Sequence, residues 1–133
     1  MSARTKLNQG MNWIRKEKRL AIYLRDGLAC VYCESSVEDC DRLTLDHLTP
    51  HSQGGSNDSI NLITCCVKCN SIRADRPWKS FCKDVATYLN AGIKAQTIIA
   101  SVQALRKKPL HINEAKLMIA RRGGFTAAMK CTK

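Results

Sequence analysis

Two short cysteine pairs, Cys30-Val31-Tyr32-Cys33 and Cys66-Val67-Lys68-Cys69, constrain this chain more than any other feature. In each, a two-residue gap turns both sulfurs toward one point, and two such turns place four thiolates tetrahedrally around a zinc ion. The pairs stand 32 residues apart. That is longer than in the simplest ribbons, but the entropy of closing a loop grows only logarithmically with its length. A disulfide framework needs an oxidising compartment, and Met1-Ser2-Ala3-Arg4-Thr5-Lys6 lacks the apolar stretch of an export signal. The remaining alternative is a set of unrelated redox or buried thiols. Cys65 competes with Cys66 for the site, and the two-residue gap favours Cys66. The other members of the set of eight, Cys40, Cys82 and Cys131, read as core or incidental thiols.

Charge divides the chain into three parts. Across 133 residues, 22 Lys+Arg against 11 Asp+Glu leave a net charge of +11. Residues 1–25 carry +6 and residues 94–133 carry +8, whereas 26–93 is at −3. Basic flanks around a cysteine-rich, slightly acidic centre suit a polyanion, and nucleic acid is favoured over anionic lipid because neither end reads as a strongly apolar amphipathic helix. No run of about 18 apolar residues is present, so no membrane partner is expected and the chain reads as cytoplasmic. A hydrophobic fraction of 44% is ordinary for a globular protein.

Local patterning indicates an α+β fold. Residues 12–26 read as a basic helix stopped at Asp26-Gly27. Leu43-Thr44-Leu45-Asp46-His47-Leu48 alternates apolar and polar side chains and is cut off by Pro50, as a strand would be. Gln53-Gly54-Gly55-Ser56-Asn57-Asp58 is a dense turn signal. Asn61-Leu62-Ile63 leads into the second cysteine pair, which opens a short helix reaching about Ala74. Helices are then expected over Ser80–Asn90, over Ile93–Lys107, and from an Asn113 cap to Arg122. The expected divisions are a basic N-terminal helix at 1–26, a zinc-bound core at 27–79, a helical module at 80–124 and a tail at 125–133. The two C-terminal helices read equally well as a helix–turn–helix and as packing against the N-terminal helix.

Inside the loop that zinc closes, Asp46-His47 is followed fourteen residues on by Asn61, and Asn70 lies nine further. With Thr49-Pro50, Gly54-Gly55, Leu62-Ile63 and Cys66-Val67-Lys68-Cys69, these residues resemble the HNH endonucleases of the ββα-metal fold. The resemblance spans about residues 20–79, and its third signature position is Asn70 rather than histidine, an HNN variant. It implies a zinc-stapled ββα core with flanking N- and C-terminal helices, in which His47 is the general base and Asn61 pins the catalytic loop and orients it. A neutral imidazole, with an ordinary pKa of about 6.5, suits that task near neutral pH. Asp46 and Asn70 are implied as ligands of a catalytic cation. Their hard oxygen donors suit Mg²⁺ or Mn²⁺. Arg73 stands where the family often has lysine and is expected, with Arg76 and Lys79, to contact DNA phosphates.

One geometrical demand accompanies this reading. Neighbours on a regular strand point to opposite faces, so Asp46 and His47 converge on one phosphate only where the strand ends or bends. The expected activity is hydrolysis of phosphodiester bonds in double-stranded DNA. One site per chain, in a monomer or weak dimer, is expected to nick a single strand. A non-catalytic zinc-ribbon DNA-binding protein is the alternative, against which the four signature residues argue. A bacteriocin-type toxin is disfavoured by the lack of a recognisable secretion or receptor module.

Overall fold

The structure is a computed structural model that describes residues 13–36, 42–89 and 92–130. Helix α1, Lys16–Arg25, ends where the sequence places its stop. Gly27 takes φ +84°, and its amide bonds the Leu24 carbonyl while that of Leu28 bonds Tyr23. This paired closure satisfies the terminal carbonyls and turns the chain into the first cysteine pair. There an isolated bridge between Ala29 and Ser36 closes a small knuckle. The Val31 amide docks the knuckle on the second strand through the Thr64 carbonyl at 3.0 Å.

Strands β1, Leu43–His47, and β2, Leu62–Cys66, form an antiparallel ribbon with Leu43 opposite Cys66 and His47 opposite Leu62. Helix α2, Val67–Arg73, follows without a loop. Cys66 is both the last residue of β2 and the cap of α2, its sulfur accepting the Cys69 amide at 3.4 Å. The zinc-ligand spacing and the helix start are therefore one local structure.

Four further helices complete the described fold: α3, Trp78–Leu89; α4, Ala95–Arg106; α5, Ile112–Arg122; and α6, Phe125–Lys130. Two expectations change here. Asn113 lies within the first turn of α5, with His111 at the cap position, and α6 stands where only a tail is expected.

The ribbon is covered on both faces. Leu45 and Leu62 pack with Ile14, Ile22 and Tyr23 beneath α1, while Ile63 and Cys65 pack with Tyr32, Phe81, Val85, Ile98 and Val102. Helices α3 and α4 thus share the core that contains the cysteines. Helix α5 buries Ala115 against Leu20 and Ala21 of α1, with Ala128 of α6 beside them. Of the two arrangements open for the C-terminal helices, α5 takes the one against α1. Burying a few side chains on each side is how so small a unit accumulates enough apolar area to hold together.

Candidate nuclease site

The four paired cysteines converge. The sulfurs of Cys30, Cys33, Cys66 and Cys69 all lie within 4.8 Å of one another, and those of Cys33 and Cys66 are 3.7 Å apart. A Zn–S bond of about 2.3 Å implies tetrahedral edges of about 3.8 Å, so the cluster needs only slight contraction to hold zinc. The donor chemistry agrees. Hydrogen bonds from neighbouring cysteines lower the Cys30 thiol and hold it as thiolate, whereas burial pushes Cys66 up to about 11. Four sulfurs this close can all be thiolates only around a cation. Cys65 and Cys82 are not members of this four-sulfur group, although the Cys65 thiol hydrogen-bonds with Cys30. Both are buried, and burial pushes the Cys82 thiol up to about 12, which keeps it protonated in the core. Cys40 and Cys131 lie outside the described residues.

The first knuckle does more than carry two sulfurs. Tyr32, between Cys30 and Cys33, points inward, packs edge-on against Phe81 and donates its hydroxyl to Asp46 Oδ2 at 2.8 Å. Burial and the adjacent carboxylate push the phenol well above its ordinary value, so it stays a donor. The cysteine cluster is thereby wired to the strand that carries the signature residues.

Asp46 itself is fully buried, and its Oδ2 also accepts from Arg73 Nη1 at 2.6 Å. The same guanidinium donates to the carbonyls of His47 at 2.8 Å, Leu48 at 2.7 Å and Arg76 at 2.9 Å. Arg73 is 1% exposed. Where a phosphate contact is expected, the guanidinium is instead engaged within the fold, by Asp46, by the backbone that ends β1 and by the Arg76 carbonyl. A planar fork of donors suits this task, because it can bridge a carboxylate and several carbonyls at once.

Asn70 lies against the same strand, its Nδ2 donating to Thr44 Oγ1 at 2.9 Å and the Leu45 carbonyl at 3.3 Å. Asp46 and Asn70 thus occur on packed elements and offer a carboxylate and a carboxamide, the hard oxygen chemistry that Mg²⁺ or Mn²⁺ takes. On that chemistry the residues fit such a cation. The carboxylate is shared with Arg73 and Tyr32.

His47 occupies the last paired position of β1. It is 4% exposed. Its ring stacks on Trp13, with centroids 4.8 Å apart and planes inclined by 34°, and its Nε2 lies 2.8 Å from Asn57 Oδ1. Neither Trp13 nor Asn57 was singled out by sequence reasoning. Asn57 sits in a run that reads only as a turn, and Trp13 lies far away in the chain.

Asn61 is buried and clamps the intervening loop. Its Oδ1 accepts the Thr49 amide at 2.8 Å, and its Nδ2 donates to the carbonyls of Thr49 at 3.1 Å and Ser56 at 2.8 Å. Gly55 passes so close that an added Cβ would lie 1.8 Å from the Thr49 carbonyl oxygen and 3.0 Å from Asn61 Nδ2. Gly55→Ala is therefore expected to break the clamp at a cost of about 1–3 kcal/mol, read as a lowered denaturation midpoint. Unchanged stability would show that the loop has room to yield.

The two remaining expected contacts differ from each other. Arg76 is exposed but paired with Asp84, and its guanidinium lies over the Phe81 ring. Lys79 is exposed beside Trp78. Part of the N-terminal charge also turns inward. Arg25 joins Asp26 and the carbonyls of Ser59 and Leu62, and buried Arg19 reaches the Tyr23 hydroxyl at 3.2 Å.

A two-stranded ribbon, a following helix and a four-cysteine cluster define a zinc-stapled ββα unit of α+β class. Residues 30–76 match the family model of the HNH endonucleases, a segment covering less than half of the chain. No curated protein and no solved structure matches it. Among the described residues no helix is long and apolar enough to cross a membrane.

Proposed function

We propose that this protein is a metal-dependent endonuclease that hydrolyses phosphodiester bonds in double-stranded DNA, nicking one strand per event. The observation that carries the reading is His47. Within the HNH segment it stands at the end of β1, with its ring held between Trp13 and Asn57. A ring so restrained suits a general base, whose proton must be taken along one direction.

In this reading His47 accepts the proton of the attacking water while the Arg73 and Asn61 clamps hold its backbone and the loop after it. Asp46 and Asn70 would hold the cation. When bound, Mg²⁺ or Mn²⁺ supplies charge stabilisation at the phosphate and the leaving 3′-oxygen. The products are 3′-hydroxyl and 5′-phosphate ends. Exposed Arg15, Lys16, Lys94, Lys107, Lys108, Lys116, Arg121 and Arg122, together with Lys79, would carry the phosphate backbone, since Arg73 is spent inside. The whole reading places one catalytic centre in each monomer, with double-strand breaks arising from two separate nicks or from a weak dimer.

The decisive experiment incubates supercoiled plasmid with the zinc-loaded protein and Mg²⁺ or Mn²⁺. Nicked circles are expected to precede linear DNA. His47→Ala is expected to lower the nicking rate by at least about 100-fold while leaving DNA binding intact. Equal rates for parent and variant would remove His47 from the role of base. Binding without any cleavage by the parent would instead leave a non-catalytic zinc-ribbon DNA-binding protein.

A further inference from the structure

The family resemblance gives the orientation of His47 to Asn61, yet the polar atoms of Asn61 are engaged by Thr49 and Ser56. Asn61 reaches the imidazole only through the loop it clamps. Asn57 meets the polar edge of the ring directly, with Oδ1 at 2.8 Å from Nε2, while Trp13 and His51 face the ring from other sides. We infer that Asn57 is the positioning residue of this site, taking the Nε2 proton and so holding His47 in the tautomer whose lone pair is on Nδ1.

The chemistry of the pair supports this assignment. A neutral imidazole carries one N–H and one lone pair, and a carboxamide oxygen only accepts. An oxygen facing Nε2 therefore places the proton there and assigns the lone pair to Nδ1. The acceptor is neutral, so it sets the tautomer without adding charge beside the phosphate site.

Asn57 is itself braced from two directions. Lys18 of α1 donates to its backbone carbonyl at 2.7 Å, while Asn61 holds the preceding carbonyl of Ser56 at 2.8 Å. The Asn61 amide, in turn, bonds the Asp58 carbonyl at 2.8 Å. Trp13 over the imidazole face restricts its rotation. The basic helix α1 thus supports the catalytic ring through Lys18 and Asn57, a link that sequence distance conceals. This assignment rests on the nuclease reading for its purpose, but the tautomer is a property of the folded protein whether or not it cuts DNA.

Nitrogen-15 spectra of the histidine side chains in the zinc-loaded, full-length protein test it without reference to activity. The parent is expected to show a protonated Nε2 and an unprotonated Nδ1 at His47. Asn57→Ala is expected to mix the two tautomers, and Asn57→Asp, which keeps an acceptor at the same place, to retain the parent form. In the plasmid assay Asn57→Ala is expected to lower kcat by at least about 10-fold with KM little changed, and Asn57→Asp to recover part of that loss, since it restores the acceptor but adds a negative charge beside the phosphate. A parent His47 protonated at Nδ1 would overturn the assignment, as would an unaltered tautomer in Asn57→Ala. Should Asn57→Ala fail to fold, the parent spectrum and Asn57→Asp still decide the matter. A parent protein that shows the expected tautomer but never nicks DNA would refute the nuclease reading and sustain the positioning one.

Discussion

Stripping zinc from this protein with a strong chelator is expected to unfold it, with loss of helical signal extending well beyond the ββα unit. Structural zinc contributes about 10–16 kcal/mol of apparent binding free energy in small domains. The whole stability of a domain is typically about 5–15 kcal/mol. The staple is therefore comparable to everything else that holds the chain together. Its loss should spread because Cys30, Cys66 and Cys69 share one core with Phe81, Val85 and Val102. Those residues belong to α3 and α4, which would lose their packing surface.

The companion measurement is metal content, expected at one zinc per chain. Cys66→Ser should abolish it, whereas Cys82→Ala, which alters a thiol outside the cluster, should retain it at a modest packing cost. Acid should release zinc as protons compete for the thiolates. A folded, zinc-free protein whose circular dichroism is indifferent to chelator would remove the staple from the account.

The staple also shows how much of this molecule can be read without coordinates. Residue spacing was sufficient for the four cysteines, because a C-x-x-C turn is local geometry and each pair has little choice of direction. The same holds for the stop at Gly27 and for the strand ending near Pro50. Asp46, His47, Asn61 and Asn70 were found by resemblance, and the structure places them on or beside one ribbon.

What the sequence concealed is how their side chains are partnered. Asn57 looks like one more turn residue among Gly, Ser and Asp, and its meeting with His47 depends on the path of a loop clamped by Asn61. Trp13 reaches the site only because α1 packs on the ribbon. Helix α5 was visible as a helix, but the choice between a free helix–turn–helix and a partner for α1 depends on small residues, Ala21 and Ala115, whose pairing has no local signature. Charge misled most. Arg19, Arg25 and Arg73 count toward a DNA-gripping surface in any tally, yet each is turned into the fold to hold a hydroxyl, a carbonyl or a carboxylate.

Arg73 gives that lesson a measurable form. Arg73→Ala is expected to cost about 3–5 kcal/mol, the usual penalty for leaving a buried charge without its partner. Asp46 would lose its cationic partner inside the core, and the carbonyls of His47, Leu48 and Arg76 would lose their donor. For a chain of this size the melting temperature should fall by on the order of 10 °C. Arg73→Lys should fall between the two, since an ammonium keeps the charge but cannot span the carboxylate and the carbonyls of His47, Leu48 and Arg76 together.

A double replacement by apolar side chains, Asp46→Ala with Arg73→Met, should cost less than the sum of the single changes, because it removes the charge that each single change strands. DNA binding separates this structural role from a phosphate contact. Measured where Arg73→Lys is fully folded, the dependence of affinity on salt should match that of the parent, since no phosphate partner has been altered. Arg73→Ala that melts like the parent, but whose salt slope is shallower by about one unit, would return this arginine to the DNA interface. The opposite pattern leaves it as the brace that holds Asp46 and the His47 backbone in place.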